Sequence, residues 1–282
     1  MDVQPINNNF NSRGHLQISI SNIDDDHGNV LNLLNTSNIN YYSIGKTFVI
    51  DDSRSKITNF AKHSTAFPKI SHQITKIIDS SKLYFTGRNF SFDITSKPLI
   101  YSILNLTPDS FYDGGVNNSV DGVLHRIETE LEQGASIFEV GGKSSKPHFD
   151  DISASEEWNR LVPYLKQIHR EFPNLVLAID SNTPEVMKYA LDDGIQIIND
   201  IDGFDSKEKL NLVEQYQPSV VSMFNGRNFD EHPDTLTDTM NGFFEQNLKD
   251  LLSTGIKPEN IVLDPGVGFS NHNTLTFDMI KM

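Results

Sequence analysis

The stretch Leu175-Val-Leu-Ala-Ile-Asp-Ser-Asn-Thr-Pro-Glu-Val-Met-Lys-Tyr-Ala-Leu-Asp-Asp-Gly-Ile-Gln-Ile-Ile-Asn-Asp200 reads as one complete strand-helix-strand unit. Leu175–Ile179 is a short, continuous apolar run, the mark of a strand buried on both faces of a parallel sheet. Thr183 and Pro184 supply an N-cap and a first helical position, and Gly194 the residue that ends the helix. Ile195–Ile198 then reads as the next strand. Alternation of strand and helix in this way implies a parallel sheet.

The same alternation extends in both directions from this unit. Apolar runs recur at Leu99–Leu104, Ser136–Val140, Ser219–Met223 and Asn260–Leu263. Amphipathic helices are expected between them. Val120, Leu124, Ile127 and Leu131 share a helical face that Gly134 closes. Ser153-Ala-Ser-Glu156 is a capping box ahead of Trp158, Leu161, Val162, Leu165 and Ile168. Ser206 opens another helix, and Met240, Phe243, Phe244, Leu248, Leu251 and Leu252 line the last, closed by Gly255. Six strands are legible by Met282. The sheet is either open or closed into a barrel; an eight-unit barrel takes roughly 250 residues, so about a quarter of one would lie beyond this stretch.

Residues 1–94 differ in texture, being Asn- and Ser-rich with weak patterning. His15–Ile20 alternates like a half-buried strand and Lys46–Ile50 reads as another. Ile57, Phe60 and Ala61, then Ile74, Ile77 and Ile78, have helical spacing. Leu83–Phe85 and Phe90–Phe92 flank Thr86-Gly-Arg-Asn89 as a hairpin. A small α/β lead-in domain over 1–94, ending in that hairpin, is therefore expected before a barrel domain over 95–282.

Composition narrows the class. The chain has 282 residues, 18 Phe, no Cys and a formal charge of −15. Without Cys there is neither a disulfide framework nor a thiolate site. The negative charge argues against a nucleic-acid partner, whose phosphates would be repelled. No apolar run is long enough to span a membrane and no secretory signal is visible near Met1, so the cytoplasm is the default expectation. Nine His are scattered without metal spacing.

Polar residues gather where the apolar runs end. These are Asn105, the loop Gly141–Pro147, Asp180, Asn199 with Asp200, Met223 with Asn225, and Asp264 before Pro-Gly-Val-Gly-Phe269. In a parallel barrel the C-terminal strand ends converge on the active site. Singly, each is as readily a turn residue. Together, carboxylates and carboxamides on adjacent strand ends suit a ring that carries amide and amino donors.

Four of these runs resemble the signatures of dihydropteroate synthases, in order: Ile103-Leu-Asn-Leu-Thr-Pro-Asp-Ser-Phe-Tyr-Asp-Gly-Gly115, Gly141-Gly-Lys-Ser-Ser-Lys-Pro147, Ile198-Asn-Asp200 and Leu263-Asp-Pro-Gly-Val-Gly-Phe269. The resemblance covers about Phe90 to Met282. It implies a (β/α)8 TIM barrel, incomplete at the C-terminus, behind the small α/β domain. It implies condensation of 6-hydroxymethyl-7,8-dihydropterin pyrophosphate with p-aminobenzoate, by loss of pyrophosphate and attack of the aryl amine on a pterin cation. By the same resemblance Asn105 meets Mg²⁺ on the pyrophosphate, and Asp180, Asn199 and Asp264 hold the pterin with Met223 against it. Phe111 and Pro147 contact p-aminobenzoate with Ser145 and Lys146 close by, and Asp113 organises the metal and closed loop, so Asp180 and Asp113 carry the catalytic roles. A homodimer is left open.

The chain departs from the family's pattern. Lys143 and Lys146 stand where the second signature has Glu and Arg, and Lys146 keeps the charge without the bidentate fork. Phe224 and Asn271 stand where His and Lys are usual. The altered second loop favours an alternative, a pterin-binding paralogue or fragment without turnover. A pterin-dependent methyltransferase shares the barrel but would not need the loop from Asn105 to Gly115.

Overall fold

The structure, a computed structural model, describes residues 1–6, 15–106, 119–143, 152–226 and 236–269. The chain divides into two compact units, Met1–Leu83 and Tyr84–Met282.

The first unit is an antiparallel sheet with helices. Its elements are β1 (Asp2–Pro5), β2 (His15–Ser21), α1 (His27–Thr36), β3 (Tyr41–Ile44), β4 (Thr47–Ser53), α2 (Arg54–His63) and α3 (Pro68–Ser80), with sheet order β1-β2-β4-β3. Leu16, Ile18 and Ile20 alternate onto one face of β2, as period-2 patterning requires, and pack with Ile57, Phe60, Ile70 and Ile74 of the helices. The sequence reading finds β2, β4, α2 and α3 but not β1, β3 or α1. In α1 the buried stripe is only Val30 and Leu34, amid Asn residues that favour turns.

The second unit begins with the hairpin β5 (Tyr84–Gly87) and β6 (Phe90–Asp93). Then come β7 (Ile100–Asn105), α4 (Val120–Glu132), β8 (Ala135–Gly141), α5 (Ala154–Glu171), β9 (Val176–Asp180) and α6 (Pro184–Asp193). They are followed by β10 (Ile197–Asp200), α7 (Lys207–Tyr216), β11 (Ser219–Met223), α8 (Leu236–Ser253) and β12 (Ile261–Asp264). Strands β7 to β12 pair in chain order and every pairing is parallel. A doubly wound open sheet reverses its strand order at a switch point; the unreversed order here is that of a TIM-barrel wall.

The outer faces of these strands pack on the helices. Phe138, Val140, Leu177, Ile179, Ile198 and Val220 join Ile127, Leu161, Leu165, Val186 and Val213 in one core. Ser153 caps α5 by accepting from the Glu156 amide, while the Thr183 side chain makes no cap bond to α6. On α4 the buried residues are Val123 and Ile127, and Leu131 is exposed. On α8 Asn247 is buried and Leu252 exposed, so the helix presents a partly polar stripe. Asn247 accepts from Ser222 of β11 at 2.8 Å and donates to the Gly203 carbonyl, which satisfies its buried amide.

The hairpin groups with this second unit. Phe85, Phe90 and Phe92 pack with the inward-facing Tyr101, Ile137, Val176, Ala178, Ile197, Val221 and Val262. Thr86 donates to Asn260 at 2.7 Å, and Ser219 donates to the Thr86 carbonyl at 2.7 Å. Both partners lie at strand starts, so the hairpin covers the N-terminal end of the barrel interior. The opposite, C-terminal end is left for chemistry. Among the described residues no helix is long and apolar enough to cross a membrane.

Candidate active site

Strand parity decides which side chains meet inside. The register pairs Asn105 with Gly141, Val140 with Ile179, Asp180 with Asn199, and Met223 with Asp264. Side chains alternate across a strand. With Tyr101, Ile137, Ala178, Ile197, Val221 and Val262 facing inward, Asn105, Gly141, Asp180, Asn199, Met223 and Asp264 continue the same face toward the C-terminal ends. Phe111, Asp113, Ser145, Lys146 and Pro147, also expected at the site, lie outside the described residues.

Gly141 opens the space between two of these groups. A Cβ there would stand 3.6 Å from Asn105 Oδ1 and 3.7 Å from Asp180 Oδ2. Asp264 is held from its own loop, where the Gly266 amide donates to Oδ1 at 2.8 Å. Met223 is buried beside that loop. Phe224, where the family's pattern has His, is fully buried against Phe243 and Phe244 of α8, with Leu236 and Met240 completing the cluster. That substitution therefore serves packing.

A polar chain runs along the rim. Lys143 donates to Asn182 Oδ1 at 3.4 Å, Asn182 donates to Asp202 at 2.7 Å, and Asn225 donates to the other Asp202 oxygen at 3.1 Å. Asp200 faces away from the interior. It accepts from the Phe204 amide at 2.6 Å and from Lys209 at 3.0 Å, which fixes the turn after β10. It is structural, as its strand parity dictates.

One residue of the interior escaped the sequence reading. Glu139, in the middle of the apolar run Ser136–Val140, points inward one layer beneath Asp180 and is 2% exposed. Tyr101 donates to its Oε2 at 2.9 Å and Asn199 Nδ2 donates to the same oxygen at 2.9 Å. The signal was present: Glu139 shares parity with Gly141, and a charge inside a doubly buried strand requires an explanation.

The electrostatics follow from the crowding of acids. Burial, then the charges of Glu139, Glu157 and Asp200, push the Asp180 carboxyl up to about 8, with Lys143 opposing. Burial raises Glu139 as well, against the bonds from Tyr101 and Asn199. An unfolded aspartate titrates near about 4. Between about 4 and about 8, then, native Asp180 keeps a proton that the unfolded chain has lost. Its contribution to stability is full below that window, is lost as pH rises through it, and stays lost above. Asp180→Asn should therefore melt above the parent by about 3–6 °C at pH 8.5 and by much less at pH 5. Scanning calorimetry at the two pH values checks this, and an equal gap at both would contradict the raised pKa.

Comparison with known proteins agrees with the geometry. A profile of the pterin binding enzyme family matches residues 101–281. A dihydropteroate synthase of Clostridium beijerinckii is 36% identical over 183 residues, which cover 63% of this chain and 65% of that protein. A folic acid synthesis protein of Pneumocystis carinii is 35% identical over 225 residues, 74% of this chain but 30% of that protein. The chain thus spans less than two thirds of the length of either relative. A crystal structure of dihydropteroate synthase from Clostridium difficile, determined in the presence of pteroic acid, superposes with a TM-score of 0.59 at 32% identity. That match covers 66% of this chain and 70% of the other.

Proposed function

The chain belongs to the pterin-binding enzyme family, and from that premise we propose that it carries out the dihydropteroate synthase reaction. A pterin pyrophosphate and p-aminobenzoate are the substrates in this reading. The C–O bond to pyrophosphate breaks with its electron pair, the aryl nitrogen forms the new C–N bond, and the amine proton is released to solvent. The observation that carries the reading is a buried acceptor with nothing to accept: Asn199 Oδ1 has no hydrogen-bond partner among the described residues. It lies in register with the Asp180 carboxyl, on the face that continues to Asp264. Acceptors held side by side in this way fit the paired N–H donors of a pterin edge.

Asp180 and Asp264 would also stabilise positive charge that develops on the ring as pyrophosphate leaves. Asp113, Phe111, Ser145, Lys146 and Pro147 belong to the same reading through the family's pattern alone. The reading extends to a cytoplasmic location and a homodimer.

Mg²⁺ fits the residues present. Asn105 Oδ1 and Asp180 Oδ2 converge over Gly141, where a Cβ would fill the space between them. Among the described residues no group of three or more His, Cys, Asp or Glu is placed to hold a metal ion by itself, but Mg²⁺ is commonly held by one or two protein oxygens plus substrate phosphates. Asn105 would hold it. When bound, it supplies Lewis-acid neutralisation of the departing pyrophosphate, which a chain of net charge −15 otherwise opposes.

The test is product formation. With the pterin pyrophosphate, p-aminobenzoate and Mg²⁺, chromatography should show dihydropteroate and pyrophosphate in equal amounts. Asn105→Ala should bind the pterin pyrophosphate about tenfold more weakly, the loss of one ion contact, yet bind 6-hydroxymethylpterin unchanged. Equal losses for both ligands would contradict its assignment to the phosphates. Pterin binding without turnover would support the second reading, a non-catalytic paralogue, which Lys143 in place of the family's Glu favours.

A further inference from the structure

We infer that Glu139 is a positioning residue for pterin recognition, fixing the side-chain amide of Asn199 so that its oxygen, not its nitrogen, is offered to the ligand. The inference rests on the pocket reading above and extends it to a residue that makes no contact with the ligand.

An asparagine amide can enter a site either way round, because its oxygen accepts and its nitrogen donates from nearly the same positions. What lies behind it decides. Behind Asn199 is the Glu139 carboxylate, whose Oε2 receives Nδ2 at 2.9 Å. That oxygen accepts from Tyr101 as well as from Asn199, so it admits the amide nitrogen and turns Oδ1 away. Tyr101 donates to the same Oε2 at 2.9 Å and holds the carboxylate in place. Glu139 is 2% exposed, and among the described residues no cation pairs with it.

Burying such a group is unfavourable, and an apolar residue would suit the strand better if packing alone mattered. Its consequence is visible on the other side of the amide, where Asn199 Oδ1 is left buried and unpartnered. An unsatisfied buried acceptor lowers the stability of the empty protein, and a ligand N–H relieves that cost on binding. Glu139 thereby sets the polarity of the pocket. Two acceptors, Asn199 Oδ1 and the Asp180 carboxyl, stand in register, so a ligand edge with two adjacent donors is selected over one that mixes donor and acceptor.

Exchanging the two groups tests this. In Glu139→Gln the new amide can point its nitrogen at Asn199, which then turns its own nitrogen toward the ligand. In Asn199→Asp two carboxylates face each other. In the double variant Glu139→Gln/Asn199→Asp, the introduced glutamine accepts from Tyr101 and donates to the introduced aspartate, which again offers an oxygen to the pocket. Calorimetry with 6-hydroxymethylpterin should give a loss of about tenfold in each single variant and recovery in the exchanged pair to within about threefold of the parent.

Glu139→Gln should melt at or above the parent, since a buried carboxyl whose ionisation burial disfavours is gone, so a loss of affinity there is not a loss of fold. An exchanged pair as weak as the weaker single variant, or a Glu139→Gln protein with parental affinity, overturns the inference while leaving the pocket reading intact. A parent protein that binds no pterin overturns both.

Discussion

Asp180→Ala should weaken binding of 6-hydroxymethylpterin by about tenfold to a hundredfold, because a charge-assisted hydrogen bond to a buried ring contributes about 1.5–3 kcal/mol. The parent should also show a pH dependence that the variant lacks. In the empty site the Asp180 carboxyl is pushed up to about 8, chiefly by burial, and so holds its proton at neutral pH. A ligand that donates to it favours the carboxylate, so binding releases a proton. Affinity should rise with pH up to about 8 and level off above. Calorimetry at neutral pH in buffers of different ionisation enthalpy measures the proton directly. Asp180→Ala, with no proton to release, should give buffer-independent heats. Unchanged affinity in this variant would remove Asp180 from the pocket.

Asp180→Asn and Asp180→Ala also oppose stability to function at one position. The carboxyl proposed to bind the ligand is destabilising while the site is empty, because burial and neighbouring acids resist its charge. Removing that charge should raise the melting point and weaken recognition together.

Most of the barrel was legible because its strands are short apolar runs that end on single polar residues, and several helix ends carry a glycine or a capping serine. Asn105, Asp180, Asn199 and Asp264 could be read from position alone, as the residues that end such runs. Glu139 could not, because reading the run as continuously apolar conceals one inward charge; only parity with Gly141 exposes it. Lys143 was legible as a departure, but its partner Asn182 was not, since the contact joins the ends of different strands. In the first unit, β1, β3 and α1 were missed where Asn and Ser dilute the pattern and two buried residues suffice for a helix. The hairpin is legible, but the sequence reading puts it at the end of the lead-in domain, whereas Phe85 and Phe90 pack within the second unit. That association rests on contacts with Ser219 and Asn260 far along the chain.

Gly266→Ala should cost about 2–5 kcal/mol of stability, combining left-handed backbone strain with overpacking, whereas Gly268→Ala should cost only about 1 kcal/mol for its backbone. Both glycines have positive φ, +70° and +90°. They differ in what surrounds them. A Cβ on Gly266 would stand 2.1 Å from the Phe224 carbonyl oxygen, and one on Gly268 would meet nothing within 4 Å. The Phe224 oxygen cannot yield cheaply, because the Phe224 amide donates to the Asp264 carbonyl at 2.9 Å and the Gly266 amide donates to the Asp264 carboxylate. Displacing Gly266 therefore displaces Asp264. Denaturant unfolding should rank the two variants, and calorimetry should find pterin affinity reduced in Gly266→Ala but near the parent's in Gly268→Ala. Equal losses of stability would mean that backbone conformation alone sets the cost. Parental affinity in a destabilised Gly266→Ala protein would mean that Asp264 does not depend on this loop for its position.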